Sequence, residues 1–279
     1  MNRLNLSKRT QVIHHLVEGN SLAATARLTG IAPNTVASLL DDVGAECNVY
    51  LHFNMVKLPC SRIQVDEIWS FCKMKEKRVP PSLKGMPGYG DTYTWTALCP
   101  DTKLMPCFLV GRRDTEHAIQ FMDDLAWRLK NRIQLTSDGH NPYLKAVEGA
   151  FDDKIDFAML KKEYGGIRIY RDGAKKKCGS SECSAINKEV IAGNPDPAHI
   201  STSGVERQNR TMRMGIRRFT REVDAFSKKS QRHRAAVALH FMYYNFARPH
   251  RTLRGISPAM AAGLENTLWG IEDIVRLAD

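Results

Sequence analysis

Apolar positions in the first forty-odd residues recur at helical spacing. In SKRTQVIHHLVEG (7–19), Val12, Ile13, Leu16 and Val17 share one side before a glycine stop. NSLAATARLTG (20–30) opens with Asn20 or Ser21 as N-cap and closes at Gly30. APNTVASLLDDVG (32–44) has Pro33 near its start and turns Val36, Leu39 and Leu40 inward. Residues 45–60 read as a linker. From 61 onward the period shortens to that of strands. SRIQVDEIWSFC (61–72), DTYTWTALCP (91–100) and KLMPCFLVG (103–111) predict three sequential antiparallel strands, with a charged, Pro/Gly-rich loop at 73–90 and a tight PDTK turn. DTEHAIQFMDDLAWRLKN (114–131) is an amphipathic helix with Ile119, Met122, Leu125, Ala126 and Leu129 on its stripe. A strand at 132–139, a short helix at 141–151 and a fifth strand at 155–164 follow. Residues 165–200 read as irregular, and helices dominate from 202.

The order βββαβαβ followed by helices suggests a mixed five-stranded sheet with flanking helices, for which the ribonuclease H-like fold is the candidate. The N-terminal trio, with its short glycine-containing turn TGIAP, matches a helix-turn-helix. On that reading Asn34, Thr35 and Ser38 face a DNA major groove; the alternative is a small helical hairpin packed on the main domain. The predicted division is a helix-turn-helix module over 1–46, a linker over 47–60, a catalytic domain over 61–223 and a C-terminal helical extension over 224–279.

Charge sharpens this picture. The chain of 279 residues carries a net +11, and it is unevenly placed. Residues 206–254 hold 13 Lys/Arg against 3 Asp/Glu, whereas residues 1–60 hold 5 against 4. A local basic surface suits a polyphosphate partner such as nucleic acid, although a single basic run can equally be a solvated face. No apolar run approaches the ~18–20 residues of a membrane span. The N-terminal stretch lacks an apolar signal region, and seven irregularly spaced cysteines suit reduced thiols, so a cytoplasmic, nucleoid-associated location is expected. CGSSEC (178–183) with His199 lacks an evident fourth zinc ligand and reads as free cysteines in a loop.

Three acids sit where such a fold would converge them: Asp66 in the first strand, Asp138 at the end of the fourth, and Glu206 in the first turn of a later helix. Each has an ordinary alternative. Asp66 can be a solvent-facing strand residue, with Glu67 then pointing to the other face. Asp138 before glycine can be a turn residue. Glu206 can complement a helix dipole. Together, three converging carboxylates are costly without cations, and Mg²⁺ accepts a few carboxylates plus phosphate oxygens. On a helical wheel, Arg207, Arg210, Arg213, Arg217, Arg218 and Arg221 span an arc of about 140° that includes Glu206. Val205, Met212, Ile216 and Phe219 form a separate apolar stripe. Arginines beside a metal-ligating Glu206 would hold DNA phosphates, Arg213 foremost. ARPHRTLRG (247–255) is a second basic stretch that would extend the track or simply be solvated.

QVDEIWSF, TSDGHNPY and SGVERQNRTMR resemble the catalytic blocks of DDE transposases from bacterial insertion sequences, closest to the insertion-sequence-one type. The tail YYNFARPHRTLRGISPAMAAG is similar to the C-terminal pattern of many such transposases and integrases. The resemblance implies a ribonuclease H-like fold, Mg²⁺ or Mn²⁺, catalytic roles for Asp66, Asp138 and Glu206, and supporting roles for Trp69, Tyr143, Arg207 and Asn209, with Asn209 expected on the DNA face beside Arg207, Arg210, Arg213 and Arg217. The expected activity is cleavage of element ends and joining of the 3′-OH to target DNA by a homodimer or higher oligomer. Two rivals stay open: a helix-turn-helix regulator with an inactive second domain, and a nuclease of the same fold.

Overall fold

The computed structural model describes residues 4–165, 182–220 and 224–279. The three N-terminal helices form as their patterns predict: α1 (Leu6–Val17), α2 (Leu22–Thr29) and α3 (Pro33–Asn54). Asn5 and Ser21 cap the first two by accepting the backbone N–H of Lys8 and Ala24. Gly30 ends α2 in the left-handed conformation, φ 69°.

The third helix departs from expectation. It runs through Gly44 to Asn54, so most of the stretch read as linker is helix. Gly44 is a crossing point rather than a stop. A Cβ built there would lie 2.5–2.7 Å from the Ala235 backbone and side chain on α7 (Ser230–Met242). Missing side-chain bulk lets the two helices pack backbone to backbone, and Arg232 of α7 grips the Asp41 carboxylate of α3 from both Nε and Nη2. Beyond the crossing, Cys47, Leu51 and Met55 continue the buried stripe.

The sheet has six strands in the order β3-β2-β1-β4-β5-β6, one more than expected. They are β1 (Arg62–Cys72), β2 (Gly90–Leu98), β3 (Phe108–Gly111), β4 (Ile133–Asp138), β5 (Ile155–Gly165) and β6 (Glu182–Ala192). The first three are antiparallel neighbours, β4 and β5 run parallel to β1, and β6 returns antiparallel on β5. The extra strand falls in the region read as irregular. Both its faces are exposed, Ile186, Val190 and Ile191 included, so it lacks the alternation that betrays a half-buried strand. The third strand is shorter than expected. Pro106 has no N–H to give the ladder, and the Asn245 side chain takes both the N–H and the C=O of Met105, each at 3.0 Å.

One face of the sheet carries α4 (Thr115–Arg128) and α5 (Pro142–Phe151). Near the other end of the chain, α6 (Ser203–Gly215) crosses β1 and β2. The last helices, α8 (Pro258–Ala261) and α9 (Ile271–Arg276), turn back on the molecule. There α9 packs on α1, and Asp279 forms an ion pair with Arg9 at 2.6 Å. One continuous apolar core links the N-terminal helices, the sheet and these elements. No helix among the described residues is long and apolar enough to cross a membrane.

Candidate active site

Strand register builds the centre of the site. Parallel pairing of β1 with β4 ends at Gln64↔Thr136. Asp66 and Asp138 lie two residues further along their respective strands, still level but no longer bridged to each other. Asp66 remains paired to Thr96 of β2, and Asp138 to Leu160 of β5. The strands therefore part at this point, and a cleft of about 770 Å³ opens between them, with Asp66, Asp138, Arg113, His140, Lys162 and Glu206 among its walls.

Each carboxylate of the corner is fixed differently. Asp66 accepts the Glu67 N–H and the Asn209 side-chain amide, each at 2.8 Å. The Thr96 hydroxyl sits 3.0 Å from the Asp66 carbonyl and 3.2 Å from Asn209 Oδ1, tying strand to helix. Asp138 accepts the His140 N–H at 3.0 Å, an Asx turn that points its carboxylate back into the cleft. Glu67 accepts Arg113 Nε at 2.9 Å and the Tyr143 hydroxyl. Arg113 also reaches Asp138, at 3.5 Å.

Oxygens of Asp66, Glu67 and Asp138 all lie within 4.8 Å of one another. Glu67 is the member that strand alternation hides, because neighbours on a strand project to opposite faces. Here the parting of β1 from β4 brings Asp138 within reach of both. The signal that was available is the Asp-Glu pair itself together with Tyr143 and Arg113. Burial and the neighbouring Asp138 push the Asp66 carboxyl up to about 6. The same two causes, opposed by the Tyr143 and Arg113 hydrogen bonds, push Glu67 up to about 7. Hard oxygen donors whose mutual repulsion is only partly relieved are the donor set a small divalent cation such as Mg²⁺ or Mn²⁺ takes. Burial, then Arg113, pulls His140 below its ordinary value, and its buried Nε2 makes no protein hydrogen bond.

The opposite wall comes from α6. Its apolar stripe is buried as predicted, through Val205 and Met212 and on to Ile216 and Phe219. Gly204 lets the first turn press on β1: a Cβ there would lie 2.6 Å from Gln64 Oε1, and that same oxygen accepts the Val205 N–H at 3.1 Å. Glu206 is exposed in the cleft, where Thr202 donates to it at 2.6 Å and Lys162 forms an ion pair with it. It faces Asp66 and Asp138 across the same cavity but is not among the three acids whose oxygens cluster.

The arginine face divides. Arg207 and Arg210 are exposed and Arg213 is half-buried. The helix ends at Gly215, and Ile216 turns to φ −118°, ψ 106°. Arg217 and Arg218 therefore sit on a separate 3₁₀ turn, out of phase with the wheel. Arg217 is exposed, whereas burial and nearby Arg232 pull Arg218 down to about 10. Arg221 lies outside the described residues. Asn209, expected on the DNA face, is instead buried against Asp66 and Thr96, because its position on α6 looks down onto the sheet. Asn34, Thr35 and Ser38 are exposed along the start of α3 and do not line the cleft. In the CGSSEC stretch, Cys178 lies outside the described residues, Cys183 is exposed and His199 lies against Arg62 and Asp196.

No protein-family profile and no curated protein sequence matches the chain. Among solved structures, it is similar to a piggyBac transposase synaptic complex with hairpin DNA, at 8% identity over 99% of this chain and 71% of that one, with a TM-score of 0.46. It is also similar to the Mos1 transposase paired-end complex with the left transposon end, at 11% identity over 55% and 57%, TM-score 0.23. The Mos1 strand transfer complex aligns at 10% identity over 86% and 77%, TM-score 0.24. At these scores the reading rests on the chain's own geometry.

Proposed function

We propose that the chain is a DNA transposase of the DDE type, built on a ribonuclease H-like sheet. The observation that carries this reading is the level placement of Asp66 and Asp138 where β1 and β4 part, with Glu206 on the facing wall of one open, cation-lined cleft. Asp66, Glu67 and Asp138, with Glu206 opposite, are the residues that would hold Mg²⁺ or Mn²⁺. Bound there, the metal supplies Lewis-acid polarisation of a phosphodiester and offsets the charge of the carboxylates.

The chain's own residues do the rest. Asn209 and the Glu67 N–H hold the Asp66 carboxylate in one orientation. Arg113 spans Glu67 and Asp138 and ties the buried carboxylate to the one that lines the cleft. Arg207 and Arg210, exposed on the same helix as Glu206, and Arg217 just beyond it, hold phosphates beside the reacting strand; Arg213 backs them. Asn34, Thr35 and Ser38 read element ends as part of a helix-turn-helix, and 224–279 braces that module against the catalytic sheet. Two protomers pair two ends.

The test incubates purified protein with Mg²⁺ or Mn²⁺, labelled DNA ends and a target plasmid. Cut ends and joined products are expected, and Asp66→Ala, Asp138→Ala and Glu206→Ala should each abolish both. No product across many end sequences sinks the enzyme reading; full activity in all three variants sinks the site. Cutting without joining would make the chain a nuclease of this fold.

A further inference from the structure

Beyond the acids, β1 carries a second feature. Residues 67, 69 and 71 share a face, and on it Trp69 and Phe71 lie side by side, ring centres 5.7 Å apart. Phe226 stacks on Phe71 at 5.1 Å and 24°. Tyr93 is the cross-strand partner of Trp69. All four rings are half-buried, whereas Trp95, next inward on β2, is fully buried. The helices α4 and α5 cover the sheet as far as Trp95 and Tyr143, and the four rings form a ledge past that cover.

A basic loop follows the ledge in the chain, and one of its lysines borders the rings. Lys73, Lys75, Lys77, Arg78 and Lys84 are exposed in the loop between β1 and β2. The acids nearest them, Glu76 and Asp91, are engaged with each other's backbone N–H groups, at 3.0 and 3.3 Å. Lys75 Nζ lies 5.7 Å from the Trp69 ring and 5.9 Å from Phe71, at the outer limit of a cation–π contact, so it borders the rings without covering them. At roughly 3.3 Å per strand residue, Trp69 stands about 7 Å from Glu67 and Phe71 about 13 Å. A strand leaving the acidic corner reaches the ledge within a few nucleotides.

Flat rings a few strand residues from an acidic cleft, with a lysine at their edge and a basic loop beyond, are the combination that binds unpaired nucleic acid: phosphates meet the cations and bases lie on the rings. A duplex keeps its bases stacked on each other and has no use for the rings. We infer that the Trp69–Phe71 ledge is a binding site for unpaired DNA bases next to the reacting phosphodiester, a subsite for a frayed or single-stranded flank. This rests on the reading that the Asp66–Asp138 cleft handles DNA.

Fluorescence anisotropy in EDTA tests it without any chemistry, by comparing a blunt labelled duplex with the same duplex bearing an oligo(dT) tail. The tail should tighten binding about tenfold in the wild type. Trp69→Leu and Phe71→Leu keep apolar bulk against the loop but lose the stacking surface. Each should remove most of the gain while leaving blunt-duplex affinity in place, and Trp69→Phe should retain most of it. Equal binding of tailed and blunt DNA by the wild type overturns the inference, as does an equal loss on both probes in the variants. A chain that cuts and joins DNA but ignores the tail sinks the ledge and leaves the function standing. A tail effect in a chain that yields no product does the reverse.

Discussion

The two walls of the cleft are built on different principles. On one, Asp66, Glu67 and Asp138 are set by strand register and held by backbone N–H groups, a buried amide and a shared arginine. On the other, Glu206 and the exposed arginines ride on a helix, and among the described residues Glu206 is held by a lysine and a hydroxyl. The first wall is fixed at folding, and its cost is repulsion among buried acids. The second can shift a side chain without disturbing the core. If the cleft takes DNA and a metal as proposed, the ligands that would bear the charge are rigid and the facing one is adjustable.

The sharpest way to break this contrast is to remove the corner. Asp66→Ala or Asp138→Ala should lower cutting and joining by at least about a thousandfold, several kcal/mol of lost transition-state stabilisation. Product formation within tenfold of wild type in either variant would mean that the register-built corner is not where chemistry occurs.

Next in size is a split between positioning and binding. Asn209→Ala should slow product formation about tenfold or more with DNA affinity unchanged, because the amide touches Asp66 and not the surface. Arg210→Ala should do the opposite: weaker DNA binding and a salt dependence shallower by about one counterion unit. If both variants act alike on affinity, Asn209 is reaching DNA after all.

A third prediction concerns pH. Asp66 in the folded chain titrates at about 6 instead of near 3.8, and Glu67 at about 7 instead of near 4.5. The folded state therefore binds more protons than the unfolded one across this window, so stability of the metal-free protein should fall as pH rises from about 4 to 7. Melting temperature measured in EDTA should drop over that range, and Mg²⁺ should restore more at pH 7.5 than at pH 5. A flat profile would show that the corner carries no such repulsion. The smallest effect belongs to the adjustable wall. Lys162→Ala removes an exposed ion pair and should change stability by less than about 1 kcal/mol in denaturant titration.

Much of this was legible beforehand, for identifiable reasons. Strands with one buried face alternate, which located β1, β2, β4 and β5. Helical periodicity with a glycine stop located α1, a cap and a glycine stop located α2, and an apolar stripe located α4. Asp66, Asp138 and Glu206 stood out as acids at strand centre, strand end and helix start, and they do line one cavity. What stayed hidden had no local signature. Gly44 looks the same as a stop and as a crossing, and only Ala235 decides which. The exposed strand β6 lacks a buried face. Asn209 sits among arginines in sequence but looks down onto the sheet, and the wheel of arginines breaks at Gly215 because Ile216 is drawn into the core.

The sequence by itself therefore determined most of the elements, the basic segment and three of the acids, since periodicity and residue type act over a few residues. The tertiary structure alone decided that β1 and β4 part beyond Gln64 and Thr136. That parting is a non-local event between segments some seventy residues apart in the chain. It turns Glu67 from the wrong-face neighbour of Asp66 into a member of the same cluster, and it leaves Glu206 facing that cluster from across the gap.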